Sequence, residues 1–455
     1  MSRSLYRADT IVACATAAGR GAIAIVRWSG TDSLAIAGRI FVPATPGPIE
    51  PWKMRLGTVL GADGSSSIDQ VLGVFFPAAF SFSGEDTFEV HSHGSPVVVE
   101  QIVASAIAAG ARAAERGEFT RRAVLNGKLD LLQAEAIADL IHARMAAGAR
   151  SAWRQLQGAL SSELEELRTS LIAVLADIEA QADFTDDELP DPDLDRRSRT
   201  IELVLERAGK LLDGFAASRR QRDGFRVVFT GRPNAGKSSL VNRLLGSGRM
   251  IVSDEPGTTR DVVEEVVDLG GIAFVLVDTA GIRDAPGGAE AEAIRRAHAT
   301  LEEADICVHV LDGSQSVSDV KLAADGDTDS IVLLNKCDLG LAAGPGGERW
   351  AGASVVVTSA VTGQGCDELV ERLTALARRR LENDAPGISR IRHRAALERM
   401  LLPLQRARDL AASEEMCDLA AIELRGALAE LAAIRLPLDN EEVLDRIFSE
   451  FCIGK

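Results

Sequence analysis

The run Gly231-Arg-Pro-Asn-Ala-Gly-Lys237-Ser238 lies between the apolar stretches Phe225–Thr230 and Leu240–Leu245, and no other feature constrains the fold as much. A strand, a glycine turn and a helix start, in that order, form the context in which this pattern binds phosphate. Glycines let successive backbone N–H groups converge on phosphate oxygens. The helix N-terminus adds positive potential, and Lys237 supplies a point charge. Asn234, Ala235, Gly236, Lys237, Ser238 and Ser239 are therefore expected to contact a nucleoside triphosphate, with the Ser238 hydroxyl placed for magnesium.

Three further elements follow in fixed order. Ile272–Val277 reads as a buried strand running into Asp278-Thr279-Ala280-Gly281. The carboxylate at its end can hold a magnesium-bound water, and the glycine N–H can approach a γ-phosphate. Ile331–Leu334 leads into Asn335-Lys336-Cys337-Asp338. A carboxylate there accepts two N–H donors of a guanine edge, which adenine lacks, so the expected substrate is GTP, with Lys336 over the base. Val355–Ser359-Ala360 ends a strand where a backbone N–H can meet the guanine oxygen. One such motif alone is a polar turn. Four in order, each at a strand's carboxyl end, specify a guanine-nucleotide domain.

The chain has 455 residues, which leaves room for about two to four domains. Its composition, 46% hydrophobic and 26% charged, is that of an ordinary soluble protein. No basic segment followed by a long apolar run opens the sequence, and no apolar run is long enough to span a bilayer. The six cysteines form no Cys-x-x-Cys pair or metal spacing, so a reducing, cytoplasmic setting without membrane contact is expected. A net charge of −17 argues against a general electrostatic grip on nucleic acid. Any RNA partner must be met by local patches, for which Arg219-Arg220 with Arg222, and Arg378-Arg-Arg380 with Arg390, Arg392 and Arg394, are the candidates, although solvated helix faces are the plainer reading of both.

Residues 1–127 read as mixed α/β, with strands at Ile23–Val26, Gln70–Phe76 and Thr87–His91 and a helix over Pro96–Ala109. From Leu131 to Ala182, apolar residues recur at three- and four-residue spacing, the pattern of long amphipathic helices. Asp183–Leu194 is an acidic, proline-bearing break, and Arg196–Phe215 is helical again. The nucleotide domain spans 224–380. Helical character returns at His393–Ala433 and Asn440–Phe451. The expected architecture is thus multidomain α+β and α/β: an N-terminal domain over 1–127, a helical domain in two parts over 128–223 and 381–455, and the nucleotide domain inserted between them.

These residues resemble the bacterial and organellar family of tRNA-modification GTPases called MnmE or TrmE. The resemblance covers the whole chain. It rests on Asp9-Thr-Ile-Val, Gly19-Arg-Gly21, Ile25–Gly30, Ser83–Asp86, His93-Gly94, Gly117–Phe119, Leu125–Asp130, Gln133–Leu140 and Arg446–Lys455. It implies an N-terminal folate-type domain, a Ras-like P-loop domain and a cytoplasmic homodimer. It also implies a partner bearing FAD, called MnmG or GidA, in a heterotetramer that acts on tRNA. Such a complex installs a carboxymethylaminomethyl or aminomethyl group on the 5-position of the wobble uridine of certain tRNAs. A tetrahydrofolate derivative supplies the one-carbon unit, and GTP hydrolysis is required.

The resemblance also assigns residues. Arg27, Glu89, Lys128 and the terminal Lys455 match folate contacts, and Cys452 approaches the one-carbon site as nucleophile or proton donor, against the plainer reading of a small buried thiol. His91 and His93 share a strand face, but only His93 matches the family, and no metal is expected there. The glutamine that orients water in Ras-type enzymes is replaced by Ile282. The family's glutamate corresponds to Glu290, with Glu292 the competing candidate. A potassium ion takes the place of the arginine finger, with Asn234, Ser253, Glu255 and Thr258 as matching ligands. They lie on or face the loop Ser253-Asp254-Glu255-Pro256-Gly257-Thr258-Thr259, which also contacts GTP. Thr259 joins Ser238 on magnesium. Glu255-Pro256 departs from the small apolar residues usual in that loop.

A second class of function fits the P-loop domain equally: a GTPase switch in ribosome assembly with no modification chemistry. The folate-matching residues and terminal cysteine favour the modification enzyme, since a switch needs neither.

Overall fold

The computed structural model describes residues 9–183, 193–250, 264–278, 304–315, 329–342, 354–383, 387–413, 416–435, 441–449 and 451–455. Residues 184–192 of the acidic break, the Ser253–Thr259 loop, Thr279–Gly281, Glu290 and Glu292 lie outside the described residues. The chain divides into two compact units. One comprises Met1–Ala138, Trp153–Ser198 and Arg406–Lys455, the other Asp139–Ala152 and Arg199–Gln405.

The first unit opens with β1 (Ile11–Cys14), β2 (Gly21–Ser29), α1 (Ser33–Ile40), β3 (Phe41–Pro43), β4 (Arg55–Leu60), β5 (Ser67–Phe76), β6 (Thr87–Gly94), α2 (Pro96–Ala108), β7 (Arg112–Ala113) and α3 (Glu118–Leu125). The strands form one sheet in the order β3-β4-β5-β6-β2-β1-β7. It is antiparallel except for the β1–β7 pair. Alternation drives the burial. Ala24, Val26 and Trp28 of β2 point into a core shared with α1 and α2, while Arg27 faces the other side. Trp28 stacks on Phe88 at 5.1 Å between ring centroids.

The helices that follow are α4 (Leu131–Ile141), α5 (Ala146–Leu156), α6 (Ala159–Asp183), α7 (Leu194–Asp213) and α8 (Phe215–Asp223). The expected long helical run is thus broken into α4, α5 and α6, and the last break carries Gly158 at φ 89°.

The nucleotide domain comprises β8 (Phe225–Thr230), α9 (Lys237–Ser247), β9 (Arg249–Met250), β10 (Glu264–Leu269), β11 (Ile272–Asp278), β12 (Ile306–Asp312), β13 (Asp329–Asn335), β14 (Ser354–Val357) and α10 (Cys366–Asn383). Its sheet runs β14-β13-β12-β8-β11-β10-β9. β8, β11, β12, β13 and β14 are mutually parallel, and β10 pairs antiparallel with β11. Every residue of β11 from Ile272 to Val277 is buried, as a strand covered on both faces requires. Parallel strands bring their carboxyl ends to one edge, and there an open α/β sheet binds its ligand.

The chain closes with α11 (Ile391–Leu410), α12 (Cys417–Arg435) and α13 (Glu441–Ser449). Leu164, Leu167, Leu171, Val174 and Ile178 make a buried stripe on α6 at heptad-like spacing. α12 packs antiparallel to α6, with Glu179 paired to Arg425 at 2.6 Å and Glu165 paired to Arg435. α13 puts Leu444, Ile447 and Phe448 against Leu131 and Ala134 of α4.

The Arg219–Arg222 cluster is not a solvated face, and of the second cluster Arg380 and Arg390 are largely covered while Arg378, Arg379 and Arg394 are exposed as expected. Arg220 and Arg219 both meet Asp305 at 3.4 Å, and Arg220 lies over the Phe225 ring. Arg379 and Arg380 each bind Asp329 at 2.9 Å, and Arg390 binds Asp139 at 2.7 Å. Each partner lies 50 or more residues away in sequence, beyond the reach of helix-period reasoning.

Candidate functional site

The phosphate loop follows β8 directly. Gly231 has φ 149°, and a Cβ there would stand 2.2 Å from Val310 O on the adjacent strand, so only glycine fits. Gly236, at φ 97°, starts α9, and a Cβ there would meet Asn335 Nδ2 at 2.2 Å. Asn234 holds φ 64°, a conformation that asparagine tolerates better than most residues. Lys237 is buried and donates to Gly231 O and Arg232 O, both at 3.1 Å, so its ammonium lies across the loop. Ser238 and Ser239 are exposed at the helix start.

The Ser238 hydroxyl donates to Asp278 Oδ2 at the end of β11. An exposed hydroxyl beside a carboxylate is an all-oxygen donor set, which suits magnesium. Among the described residues no three His, Cys, Asp or Glu side chains cluster as metal ligands.

Asn335 ties three loops together. Its buried Nδ2 donates to Ala235 O at 2.8 Å, and its Oδ1 accepts the Ala360 N–H at 3.1 Å and the Thr358 hydroxyl at 3.5 Å. The phosphate loop, the Asn335–Asp338 turn and the Thr358–Ala360 segment thus share one amide. The Ala360 N–H, expected to meet the guanine oxygen, is turned inward to Asn335. Asp338 is exposed, and its Oδ1 accepts the Ser359 hydroxyl at 2.5 Å. Lys336 has φ 65° and reaches Asp312 Oδ2 at 2.7 Å. Sequence reasoning missed Asp312, although an Asp-Gly-Ser turn closing a buried strand was a visible signal. It also missed His309, buried behind the phosphate loop with Nδ1 2.9 Å from the Thr230 hydroxyl. Burial holds that imidazole's pKa below its ordinary value.

A second site lies in the N-terminal sheet, a cavity of about 170 Å³ lined by Arg27, Trp52, Phe80, Phe82, Glu89 and Phe119 among others. The β2–β6 register sets Arg27 opposite Glu89, and Arg27 Nε donates to Glu89 Oε1 at 2.6 Å. The guanidinium carbon stands 5.8 Å from the Phe119 ring and 6.0 Å from the Phe82 ring. Arg27 therefore forms one unit with Glu89 instead of standing apart as a separate cation. Lys128 is exposed and donates to Ala79 O at 2.5 Å, one residue from the lining Phe80.

The C-terminal tail is hydrogen-bonded to the start of α3, whose Phe119 lines this cavity. The Phe119 N–H donates to Lys455 O at 3.2 Å, Gly117 N–H to Cys452 O at 3.5 Å, and Ile453 bridges to Arg116. Cys452 is exposed, so the plainer reading of it as a buried thiol does not hold. Gly454, at φ 96°, lies so close to Cys14 that an added Cβ would stand 2.0 Å from its carbonyl oxygen. Flat aromatic walls, a carboxylate and nearby cations match the chemistry of a pterin with an acidic tail. Of the two strand histidines, His93 is held by Asp69 at 2.9 Å and His91 Nε2 lies 3.5 Å from Glu89.

Behind the cavity, Arg122 joins Asp9, Glu118 and Glu85 at 2.6, 2.9 and 3.1 Å. Glu85 in turn accepts the Ser29 hydroxyl at 2.8 Å, and Ser29 lies 2.6 Å from Ser83, a lining residue. Burial opposes ionisation of Asp9 and Glu118, but hydrogen bonds from Arg112 and Arg122 outweigh it and hold both carboxyls below their ordinary range.

Two family models match the chain. One described as the MnmE helical domain covers residues 131–452, and one described as the GTP-binding protein TrmE N-terminus covers residues 10–128. The chain is 39% identical over 471 residues to the tRNA modification GTPase MnmE of Heliobacterium modesticaldum, covering 98% of this chain and 99% of that protein. It is 38% identical over 457 residues to the same-named protein of Geobacter sulfurreducens, with 99% and 100% covered. The figures for Xanthomonas campestris pv. campestris are 43% over 458 residues, with 98% and 99% covered. With such likeness along nearly its whole length, and with a guanine-nucleotide site assembled on a parallel sheet, the chain belongs to the MnmE family of tRNA modification GTPases.

Proposed function

We propose that this protein hydrolyses GTP in its 224–380 domain as one component of a tRNA-modifying complex. With an FAD-dependent partner (MnmG/GidA) it adds a carboxymethylaminomethyl or aminomethyl group to the 5-position of the wobble uridine of certain tRNAs. The one-carbon unit comes from a tetrahydrofolate derivative. The protein works in the cytoplasm as a homodimer through residues 1–127, and a heterotetramer forms with the partner.

In this reading the phosphate loop and Lys237 hold the triphosphate, and Asp338 reads the guanine edge after releasing Ser359. Ser238 and Thr259 would hold magnesium. Asn234, Ser253, Glu255 and Thr258 would hold potassium. Both ions supply positive charge where the phosphates gain negative charge in the transition state. Glu290 orients the attacking water. In the N-terminal domain Glu89, braced by Arg27, meets the amino-pyrimidine edge of the folate, Lys128 and Lys455 meet its acidic tail, and Cys452 stands ready at the one-carbon unit.

The observation that carries the enzyme reading over a bare GTPase switch is the aromatic cavity with its Arg27–Glu89 pair and the Cys452–Lys455 tail hydrogen-bonded to its lining residue Phe119. A switch has no use for such a pocket. The test is nucleoside analysis of bulk tRNA from a strain lacking the gene. Loss of the 5-substituted wobble uridine is expected, and an unchanged nucleoside profile refutes the reading.

A further inference from the structure

The Asp312-Gly313-Ser314 turn that ends β12 plays no part in the reading above, yet it underlies the Asn335–Asp338 turn. Asp312 and Asn335 are register partners in the parallel β12–β13 pair, so the two strands finish level. The Gly313 N–H donates to Asn335 O at 2.7 Å, and the Ala342 N–H donates to Gly313 O at 2.9 Å. A Cβ on Gly313 would stand 2.9 Å from Asn335 O and 2.8 Å from Leu341 Cδ2, so the two turns interlock at backbone distance.

The side chains repeat the pattern. Asp312 Oδ1 accepts both the N–H and the hydroxyl of Ser314, at 3.1 and 2.6 Å. With that oxygen fixed, Oδ2 accepts Lys336 Nζ at 2.7 Å and Gln315 Nε2 at 3.3 Å. Lys336 itself holds φ 65°, a left-handed conformation unfavourable for a residue with a side chain. A lysine stem loses several rotamers when it is pinned against a ligand. Pinning it in advance removes that cost from the binding step. Lys336 is thus constrained twice, by its backbone and by its ammonium.

We propose that Asp312 is a positioning residue for guanine-nucleotide binding: braced by Ser314, it presets the side chain of Lys336 at the rim of the base site before GTP arrives. The proposal rests on the GTPase reading of that site and adds to it a residue that touches no nucleotide atom. Asp312 acts only through Lys336, so its loss is felt only where Lys336 is present.

The test is steady-state GTP hydrolysis by the full-length protein and the variants Asp312→Asn, Asp312→Glu, Lys336→Ala and Asp312→Asn/Lys336→Ala. Asp312→Asn is expected to raise KM for GTP about fivefold, the scale of ordering one long side chain on binding, with little change in kcat. In the Lys336→Ala background the same change should move KM by less than about twofold. Asp312→Glu, which keeps the carboxylate, should recover most of the loss. A contact that served only folding would weaken both backgrounds equally and lower the melting temperature in each. Equal KM losses in the two backgrounds, or an unmoved KM in Asp312→Asn, overturn the proposal. Wild-type protein without GTP turnover removes the GTPase reading and this inference with it, whereas turnover with an unmoved Asp312→Asn KM removes the inference alone.

Discussion

Replacing Asn335 by alanine tests whether one buried amide couples the three nucleotide loops. The change removes the 2.8 Å bond to Ala235 O and the 3.1 Å bond from the Ala360 N–H, while the 3.5 Å contact from Thr358 contributes little. Two ordinary bonds are worth about 1–3 kcal/mol net, and the stranded carbonyl of buried Ala235 adds a desolvation penalty of about 1 kcal/mol or more. The sum is roughly 2–4 kcal/mol, or a fall of roughly 5–15 °C in the melting temperature of a domain this size. Scanning calorimetry measures it, and the nucleotide-domain transition is the one that GDP raises in the wild type. Both the phosphate loop and the Ala360 segment lose their tether, so GTP affinity should also fall at least about tenfold. A shift below about 2 °C with intact affinity would show the loops to be independently stable, and the coupling argument would be wrong.

Four further outcomes are expected. Asp338→Asn should move preference from guanine towards xanthine nucleotides, because an amide donates where the carboxylate only accepted; unchanged GTP preference in a competition assay counts against the assignment. Glu290→Ala should lower kcat by about two to four orders of magnitude with GTP affinity nearly intact, and if Glu292→Ala does so instead, Glu292 is the water-positioning residue. Arg27→Ala strips Glu89 of its guanidinium and should weaken reduced-folate binding by about tenfold or more, as read by calorimetry; equal binding by variant and wild type would exclude Arg27 from the site. Asp9 and Glu118 have depressed carboxyl pKa values in the folded protein, so the stability they contribute is present above the unfolded values and lost as pH falls through the folded ones. Urea midpoints of the N-terminal unit should therefore drop below about pH 4.5, with a shallower dependence in Arg112→Gln; identical pH profiles would refute the linkage.

The placing of the phosphate loop, Asn335–Asp338 and Ser359-Ala360 at strand ends was legible because each of these parts is local. A glycine turn after an apolar strand, or Asn-Lys-x-Asp after another, carries its conformation within a few residues, and parallel pairing then gathers the strand ends automatically. β5, β6 and α2 were legible for the same reason, through their own periodicity. Ile11–Cys14 and Arg55–Leu60 were not, since such short runs gain strand character only from their neighbours in the sheet. The Arg219–Arg222 cluster misled because sequence shows a charge but not whether an Asp305 awaits it. Lys336 was assigned to the base from its motif, while the carboxylate that holds it lies 24 residues away on another strand.

By itself the sequence determined where the nucleotide motifs sit on strands and turns and much of the alternation of sheet and helix, because hydrophobic period and turn residues act over single elements. Only the tertiary structure decided which charges meet. Arg27 reaches Glu89 across 62 residues through the β2–β6 register, and the last residue, Lys455, comes to Phe119 because α13 packs on α4 and carries the tail back to α3. Sheet register and helix docking are cooperative, long-range outcomes of burying apolar surface, and no window of sequence contains them.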